Sequence, residues 1–352
     1  MFKSTLTAVL AGASMAAGSV AFADGSATTV GGKTYVDMTN INQTSDGKDA
    51  AAKGTGVDVK RLYLNFSHSF DKVWSLNATT DFNYSSSTGE TQLFVKKANI
   101  QASFADAFTA RLGAADMPWI PFDEDIYGYR YVENTIIDRL HFGNSADWGL
   151  HTLGKLADGQ VNYAVSVVNG NGYKNPTRSK SVDVEGRVAY VPIPGLTFAA
   201  GFYSGKLGKD VANTTALVHH TTDRFDALVG YVSPQFRVGA EYFTAKNWNQ
   251  VTAVPTDKSD GYSVWASYNI QPKLSVFARA DQAKPKKDLS PGMKDTYFNA
   301  GVAYTPVKNV DVALAYKHEK MQNGSLGTSN GTIGGLTEGK YDEVGIWMQA
   351  SF

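Results

Sequence analysis

The residues most able to do chemistry are concentrated in one long segment, residues 117–147, which reads MPWIPFDEDIYGYRYVENTIIDRLHFGNSAD. The segment and the position just before it are rich in carboxylates: Asp116, Asp123, Glu124, Asp125, Glu133 and Asp138. It also holds aromatic and aliphatic side chains, such as Trp119 and Ile136, that need burial. A connection this long in a compact domain is uncommon unless it has a function. We therefore expect it to fold back inside a hollow structure with its acids facing water, an ordered surface flap being the alternative.

Catalytic and metal chemistry find little support elsewhere. The chain has six His, which are scattered, and no Cys, which excludes disulfides, thiolate metal sites and Cys nucleophiles. No HExxH, GxSxG or P-loop spacing occurs. The neighbouring pair His219 and His220 is typical of a solvated loop, and the nearest acid–base pair is His151 with Asp147. We expect no enzyme, no metal site and no cofactor.

Composition limits the possible partners. The 352 residues are 43% hydrophobic and 12% aromatic, with 33 basic and 33 acidic side chains. This balance gives no bulk charge that would favour nucleic acid, so we expect no nucleic-acid partner.

The N-terminus is typical of a secretory signal. Lys3 supplies a positive charge, residues 6–20 are apolar or small, and Ala21-Phe22-Ala23 fits a signal-peptidase site. We expect residues 1–23 to be a signal peptide and residues 24–352 to be the mature chain. A membrane anchor is the weaker alternative, because the apolar run is short and polar residues follow at once.

The mature chain repeats one pattern, a run of about ten alternating residues followed by a turn or loop. Alternation of period two predicts strands with two different faces. In residues 60–70, for example, Leu62, Leu64 and Phe66 point one way and the polar residues between them point the other. The pattern predicts sixteen strands, near 33–40, 60–70, 74–84, 94–104, 108–114, 148–156, 161–167, 182–190, 196–202, 225–231, 236–242, 262–270, 274–280, 298–304, 310–316 and 344–352.

The connections between these strands alternate in length. Short turns are predicted near 71–72, 105–107, 157–159, 192–195, 233–234, 271–272 and 306–309. Long polar loops are predicted near 41–55, 85–91, 117–147, 170–180, 205–221, 246–259, 284–294 and 321–339. Short turns at one end and long loops at the other are typical of an outer-membrane barrel.

The two faces of the strands favour a barrel in a membrane over a soluble sandwich. The apolar face often ends in an aromatic residue, as the girdles at membrane interfaces require. The opposite face carries basic residues whose burial in a dry core would cost several kcal/mol each: Arg61, Lys97, Arg111, Arg187, Arg237 and Arg279. A water-filled lumen removes that cost, whereas a soluble β-sandwich explains neither the chain length nor the lack of a second apolar face.

At this level the whole mature chain resembles a Gram-negative trimeric porin. The matching features are sixteen strands, a long loop after the fifth strand and a C-terminal strand, residues 346–352, that ends in Phe352. Short sequence segments such as Val59-Lys60-Arg61-Leu62 resemble segments of the phosphate-selective porin O and P group and its small-solute relatives. The long acidic loop differs from a lumen lined by a ladder of bases, so phosphate is not assigned.

The resemblance implies an all-β fold, a 16-stranded antiparallel transmembrane β-barrel whose third loop folds into the lumen. It also implies a homotrimer in outer-membrane lipid that passes small hydrophilic solutes or ions by passive diffusion. In such a porin, acids on the loop face bases on the wall across the narrowest zone. The expected loop acids are Asp123, Glu124, Asp125, Glu133 and Asp138, and the expected wall bases are Arg61, Lys97, Arg111, Arg187, Arg237 and Arg279. Arg130 and Arg139, within the loop, are expected to tie it down.

Two other functions remain open at this point. The long loops could form a surface-binding protein, such as an adhesin or phage receptor, on a barrel scaffold. A barrel enzyme would need His151 and Asp147 to act together. Within the porin hypothesis, the sequence leaves the solute and the choice between anions and cations undetermined.

Overall fold

The computed structural model describes residues 18–21, 26–85, 89–211, 219–248 and 254–352. After a short strand β1 (Gly18–Ala21), the described residues form sixteen further strands and two short helices. In chain order these are β2 (Ala27–Ser45), β3 (Lys48–Ser69), β4 (Trp74–Ser85), β5 (Glu90–Ala105), β6 (Phe108–Asp116), α1 (Ile120–Tyr127), α2 (Ile136–Arg139), β7 (Ala146–Leu156), β8 (Val161–Val168), β9 (Asp183–Ile193), β10 (Leu196–Gly205), β11 (Thr222–Val232), β12 (Phe236–Lys246), β13 (Lys258–Gln271), β14 (Leu274–Lys284), β15 (Lys294–Val307), β16 (Val310–Thr328) and β17 (Gly331–Ser351). Among the described residues, neither helix has the length or the hydropathy to cross a membrane.

Strands β2 to β17 form a closed barrel. Each strand pairs antiparallel with the next, and β17 pairs back onto β2, with Trp347 opposite Asp37. The amide of Phe352 also donates to the carbonyl of Gly32 at 3.0 Å, so the chain end joins the closure. Closure leaves no unpaired strand edge, which is what a sheet in hydrocarbon requires. The predicted sixteen-stranded antiparallel barrel is confirmed in the described residues.

The outer face of the barrel is apolar and the inner face polar, as alternation predicts. Large exposed hydrophobic side chains cover the outside, and many end a strand as an aromatic ring: Phe70, Trp74, Tyr84, Phe104, Phe108, Tyr190, Tyr242, Tyr268, Tyr304 and Phe352. Between such rings, residues such as Leu64, Ile100 and Leu112 are 42%, 52% and 68% exposed. This band fits a lipid bilayer with an aromatic girdle at each interface.

The short turns lie where predicted, but two of the predicted long loops are wrong. Residues 41–55 and 321–339 are mostly strand, and each hairpin closes on a two-residue turn, at 46–47 and at 329–330. The outward-facing residues of both hairpins are mostly polar or glycine, so period-two hydrophobicity disappears although the strands continue. Above the membrane a strand needs no apolar face, which is why the sequence pattern indicated loops there.

The turn at the end of the β2–β3 hairpin binds the neighbouring hairpin. The Asp46 carboxylate accepts hydrogen bonds from the amides of Leu336, Thr337 and Glu338 at 2.7, 2.8 and 3.1 Å and from the Thr337 hydroxyl at 2.7 Å. These bonds favour the carboxylate, so they hold the pKa of Asp46 well below its usual range. The two hairpins are thereby fastened together at the outer end of the barrel.

The predicted signal peptide, residues 1–23, lies outside the described residues except for β1. Strand β1 pairs with residues 27–30 of β2. Strands β3 and β17 pair with β2 without any contribution from β1, so the barrel closes independently of it.

A glycine in β6, just before the long segment 117–147, shows how closely two neighbouring strands of the barrel approach each other. Gly113 in β6 has φ +127°, and a Cβ added there would lie 2.2 Å from the carbonyl oxygen of Ala98 on the neighbouring strand. We expect Gly113→Ala to lower the free energy of unfolding by about 1–3 kcal/mol, because both the dihedral and the backbone contact are unfavourable for an L side chain. The measurement is the urea midpoint of the refolded barrel in detergent.

Gly56→Ala is the matched control for this prediction. A Cβ at Gly56 in β3 would have no atom within 4 Å. Its midpoint should therefore stay at the wild-type value or rise slightly. Equal midpoints for the two variants would contradict the close approach of β5 and β6.

Candidate functional site in the barrel lumen

The segment between β6 and β7 lies inside the barrel. Its apolar side chains are less than 2% exposed: Trp119, Ile120, Ile136, Ile137, Leu140 and Phe142. They pack on inward-facing aromatic residues of the wall, with the Phe142 ring centroid 5.0 Å from that of Phe243 and 6.1 Å from that of Trp248. Burial of this apolar side is what keeps a long loop from remaining in the solvent. The predicted inward-folded loop is confirmed, and we call residues 117–145 the inner loop.

Helix α1 shows how the inner loop turns within the lumen. The helix ends at Gly128, whose φ of 81° is left-handed, and the Gly128 amide donates to the carbonyl of Glu124 at 2.8 Å. The guanidinium of Arg237 lies at this end and donates to the carbonyls of Asp125 and Ile126 at 2.6 and 2.7 Å. A cation at a helix C-terminus is favourable because the free carbonyls carry partial negative charge.

Three of the predicted pore-wall bases hold the inner loop by its main chain. They are Arg187 on β9, Arg237 on β12 and Arg279 on β14. Their acceptors are the carbonyl of Pro118 for Arg187, the two carbonyls at the end of α1 for Arg237, and the carbonyl of Asn134 for Arg279. The structure therefore places these guanidinium groups under the loop and not in the open passage. Their positions in the alternating pattern predict that these side chains face inward, but not which groups they contact there.

Arg139 fastens the second half of the inner loop to the wall. Its side chain is fully buried and pairs with Asp281, Asp295 and Glu319 at 3.2, 2.6 and 2.7 Å. The guanidinium also lies 4.4 Å from the ring centroid of Tyr297. Three carboxylates from three adjacent strands thus converge on one cation. Asp281 also pairs with Arg279 at 2.6 Å, so removing Arg139 would leave Asp295 and Glu319 buried without a cationic partner.

The first half of the inner loop is held by carboxylates of the wall, to which the loop donates hydrogen bonds. The Trp119 amide donates to Glu185 at 2.9 Å, and its indole Nε1 donates to Glu241 at 2.8 Å. Arg224 pairs with the same Glu185 at 3.1 Å and donates to the carbonyl of Phe142. Both ends of the loop therefore share one polar network on the wall.

Two of the predicted loop acids are buried and do not reach the lumen. Asp123, in the first turn of α1, is fully buried, and its carboxylate has no hydrogen-bond partner among the described residues. Glu133 is 4% exposed, lies 3.5 Å from the ammonium of Lys317 on β16, and accepts a hydrogen bond from the Ser329 hydroxyl at 2.7 Å. Sequence position alone does not separate these acids from their exposed neighbours.

The other three predicted loop acids face the passage. Asp125 is exposed, and Glu124 and Asp138 keep 17% and 16% of their side chains exposed. Arg130 forms ion pairs with both Glu124 and Asp138, the second at 3.4 Å. The loop side of the passage therefore presents two acids that share one Arg and a third, exposed acid.

The wall across from the inner loop is open. In the described part of the chain, no hydrogen bond or ion pair joins the inner loop to β3, β4 or β5. The remaining predicted bases lie on this wall, each with one neighbour: Arg61 with Asp81 at 3.7 Å, Lys97 with Asp116 at 2.7 Å, and Arg111 with Gln101 at 2.7 Å. We call this surface of β3 to β6 the basic wall.

Two β-bulges increase the charge of the basic wall beyond what alternation predicts. Tyr35 pairs with Arg61 and the next residue pairs with Val59, so Lys60 is an extra residue in β3. Thr79 pairs with Lys97 and Thr80 with Val95, so Lys96 is an extra residue in β5. A bulge turns two consecutive side chains toward the same face, and here each pair is basic.

The bulge in β5 also overturns a prediction of the alternation pattern. Phe94 was expected on the outer face with Ala98, but its ring stacks on Tyr173 at 6.0 Å inside the barrel mouth. Lys96 points inward as well and is 7% exposed. The doubled basic pairs Lys60-Arg61 and Lys96-Lys97 were the sequence signal, since one member of each breaks the alternation.

Open space lies on both sides of the narrow zone. The outer cavity has a volume of about 830 Å³ and is lined by Arg61, Arg130 and Asp138, among others. The inner cavity has a volume of about 280 Å³ and is lined by Lys97, Arg111 and Asp116 together with Asn, Ser and Thr side chains. Polar and charged side chains line part of both cavities, so water and hydrated solutes can occupy the lumen.

A family model decides what kind of barrel this is. The model described as Gram-negative porin matches residues 4–324 of the chain. This chain belongs to the Gram-negative porin family. It is an outer-membrane β-barrel that forms a water-filled channel for the passive diffusion of small hydrophilic solutes.

Solved structures show the same fold at low sequence identity. The anion-selective porin from Comamonas acidovorans is 14% identical, covers 93% of this porin and 100% of its own chain, and has a TM-score of 0.67. The outer membrane channel DcaP of Acinetobacter baumannii is also 14% identical, with coverages of 95% and 99% and a TM-score of 0.64. The trimer form of OmpT, an outer membrane protein of Vibrio cholerae, is 12% identical, with coverages of 93% and 99% and a TM-score of 0.59. None of the curated proteins matches this porin in sequence.

The acid–base pair considered for hydrolysis is separated in this porin. His151 Nδ1 lies 2.8 Å from the Ser166 hydroxyl. The Asp147 carboxylate instead accepts hydrogen bonds from the amides of Trp148, Gly170 and Gly172. Asp147 therefore orders the start of the following loop. Within the described residues, no group of three or more His, Asp or Glu side chains could hold a metal ion.

Proposed function

We propose that solutes cross this porin between the inner loop and the basic wall, and that this passage favours anions over cations. The observation that carries the proposal is the one-sided anchoring of the inner loop. Its hydrogen bonds and ion pairs run to strands β9 to β16 and to residues 248 and 329. The passage is therefore bordered by Arg61, Lys97 and Arg111.

The balance of charge along the passage supports an anion preference. On the loop side, Glu124 and Asp138 are both paired with Arg130. On the wall side, Asp81 and Asp116 offset Arg61 and Lys97, while Lys96 and Arg111 have no carboxylate within ion-pair distance among the described residues. Among the residues that line the two cavities, Lys and Arg outnumber Asp and Glu. A net positive lining lowers the electrostatic barrier for anions and raises it for cations. One structurally similar barrel, from Comamonas acidovorans, is described as an anion-selective porin.

The test is the reversal potential of the channel in a KCl gradient across a planar bilayer. We expect wild-type protein to favour chloride, and Arg61→Ala combined with Lys97→Ala to shift the potential toward potassium, because both changes remove positive charge from the basic wall. Lys273→Ala is the control, since Lys273 is exposed at a short turn and bonds the carbonyl of Pro306 at 2.7 Å. An unchanged potential in the double variant would contradict the proposed path.

We further propose that the porin works as a homotrimer embedded in outer-membrane lipid. The exposed apolar band provides the surface that lipid or neighbouring subunits would cover, and the similar OmpT of Vibrio cholerae is described in a trimer form. Mass measurement in detergent by light scattering should give three chains per particle. A monomer at all concentrations would contradict the trimer.

We also propose that residues 1–23 are removed on export and that the barrel has no hydrolytic activity. The signal pattern of the sequence supports the first statement, and the separation of His151 from Asp147 supports the second. Intact-mass measurement of protein from outer membranes should give a chain beginning at Asp24. Hydrolysis of peptide or ester substrates that is lost in His151→Ala would contradict the second statement.

A further inference from the structure

The outer end of the narrow zone holds more positive charge than its neighbours neutralise. Arg61 faces inward by alternation and Lys96 through the bulge in β5, and Lys174, in the loop between β8 and β9, lies 4.8 Å above the ring centroid of Phe94 on β5. Asp81 is the carboxylate nearest to Arg61, at 3.7 Å, and it is fully buried. Two other acids in the described residues lie within electrostatic reach of Lys96, and each is already in an ion pair: Glu124 with Arg130 and Asp116 with Lys97.

Lys96 is held in an aromatic setting and not by a carboxylate. Its ammonium donates to the Tyr63 hydroxyl at 3.3 Å and lies 4.8 Å from the Tyr63 ring centroid and 5.5 Å from that of Tyr173. The side chain is 7% exposed, so its charge is poorly hydrated. Ring faces attract a cation but do not neutralise it, so the positive potential of Lys96 extends into the adjoining cavity.

Arg61 lines the outer cavity, where a quarter of its side chain is exposed. Its Nε is buried and has no hydrogen-bond partner among the described residues, and its ion pair with Asp81, at 3.7 Å, is longer than a hydrogen bond. The exposed part of a guanidinium donates charge-assisted hydrogen bonds to a carboxylate. Desolvation and the like charges of Arg61 and Lys96 lower the pKa of Lys174 in the outer loop. A lowered Lys pKa is expected where several positive charges lie close together without a counter-ion.

We propose that Arg61, Lys96 and Lys174 form a binding site for small polycarboxylates at the outer end of the constriction. The inference rests on the channel function proposed above and adds a solute class to it. Three cations that share one buried carboxylate favour a ligand with several negative charges over a monovalent anion. The outer cavity of about 830 Å³ has room for such a ligand without displacement of the inner loop. A solute held briefly there would be concentrated at the entrance of the passage before it crosses.

The test is block of single-channel current by citrate added to the outer side of a planar bilayer in KCl. We expect citrate to reduce the potassium chloride current in a saturable manner and acetate, at equal ionic strength, to leave it unchanged. Lys96→Met and Lys174→Met should each weaken the apparent citrate affinity about five- to ten-fold, since each removes one positive charge that attracts the anion. Because Lys174 lies in an exposed loop, its variant keeps the test valid if Lys96→Met folds poorly.

Lys209→Met is the matched control. Lys209 lines the same outer cavity but lies beside Asn171, with 3.5 Å between its ammonium and the amide oxygen. Its removal should leave citrate affinity unchanged. Equal affinity in all three variants, or equal block by acetate, would overturn the site. Tighter block by inorganic phosphate than by citrate would overturn the assignment to carboxylates.

A second measurement separates this inference from the proposed anion preference. If wild-type protein showed no preference for chloride, that proposal would fail, and citrate binding would then be measured by calorimetry on the detergent-solubilised barrel with the same variants. Heat of binding that disappears in Lys96→Met and Lys174→Met supports the site. No heat of binding to wild-type protein overturns it.

Discussion

Arg139→Met should release the second half of the inner loop and increase the single-channel conductance about two-fold, because the loop would no longer narrow the passage. The variant leaves Asp281, Asp295 and Glu319 buried without their shared cation. Breaking a buried ion pair by removal of one partner costs roughly 3–5 kcal/mol. The loop can avoid that cost by leaving the wall and admitting water. Conductance and its variance between channels in a planar bilayer are the measurements.

Two companion variants make this result specific. Arg139→Lys keeps the charge but loses the planar fork that reaches three carboxylates, so its conductance should lie between those of wild type and Arg139→Met. Adding Asp295→Asn and Glu319→Gln to Arg139→Met should bring the conductance back toward wild type, since fewer uncompensated charges remain. If Arg139→Met conducts as wild type does, the buried cluster is not what holds the loop.

Shortening the β16–β17 hairpin should have the second large effect, a wider outer entrance. The hairpin end bends over the barrel mouth, where Leu326 and Ile333 are 8% and 0% exposed. The Ser329 amide donates to the carbonyl of Arg139 at 2.9 Å, and its hydroxyl binds Glu133. Deletion of residues 326–333 removes this cover and one support of the inner loop. We expect faster uptake of larger hydrophilic solutes into liposomes, with a smaller rise in conductance than in Arg139→Met.

The strand register makes this deletion feasible. Gly324 pairs with Gly335, so the deletion leaves Ser325 and Gly334 as a two-residue turn between paired strands. The contacts of Asp46 with residues 336–338 are kept. Deletion of residues 50–53 in the neighbouring β2–β3 hairpin, which lacks hydrogen bonds to the inner loop among the described residues, serves as the control. Equal uptake by both deletions would show that the β16–β17 hairpin does not cover the entrance.

The barrel itself was predictable because its physics is periodic. Alternation along 60–70 and most of the other fifteen predicted strands, an aromatic residue at many strand ends and the short turns are all local properties, and each is found in the structure. The two outer hairpins were missed because they lie beyond the membrane, where neither face of a strand has to be apolar. The bulges at Lys60 and Lys96 were missed for a related reason. One extra residue reverses which side chains face the lumen, but it requires no Gly, Pro or Asn that would mark it in the sequence.

The sequence by itself determined that residues 117–147 carry acids, that Arg61, Lys97 and Arg111 face a wet lumen, and that the sheet has one apolar side. Only the tertiary structure decided which charges meet. Arg187 and Arg279 have the same inward parity as Arg61, yet they hold loop carbonyls because the inner loop leans toward β9 to β16. Parity depends on neighbours two residues apart, whereas the partner of an inward side chain depends on where a folded loop lies across the lumen.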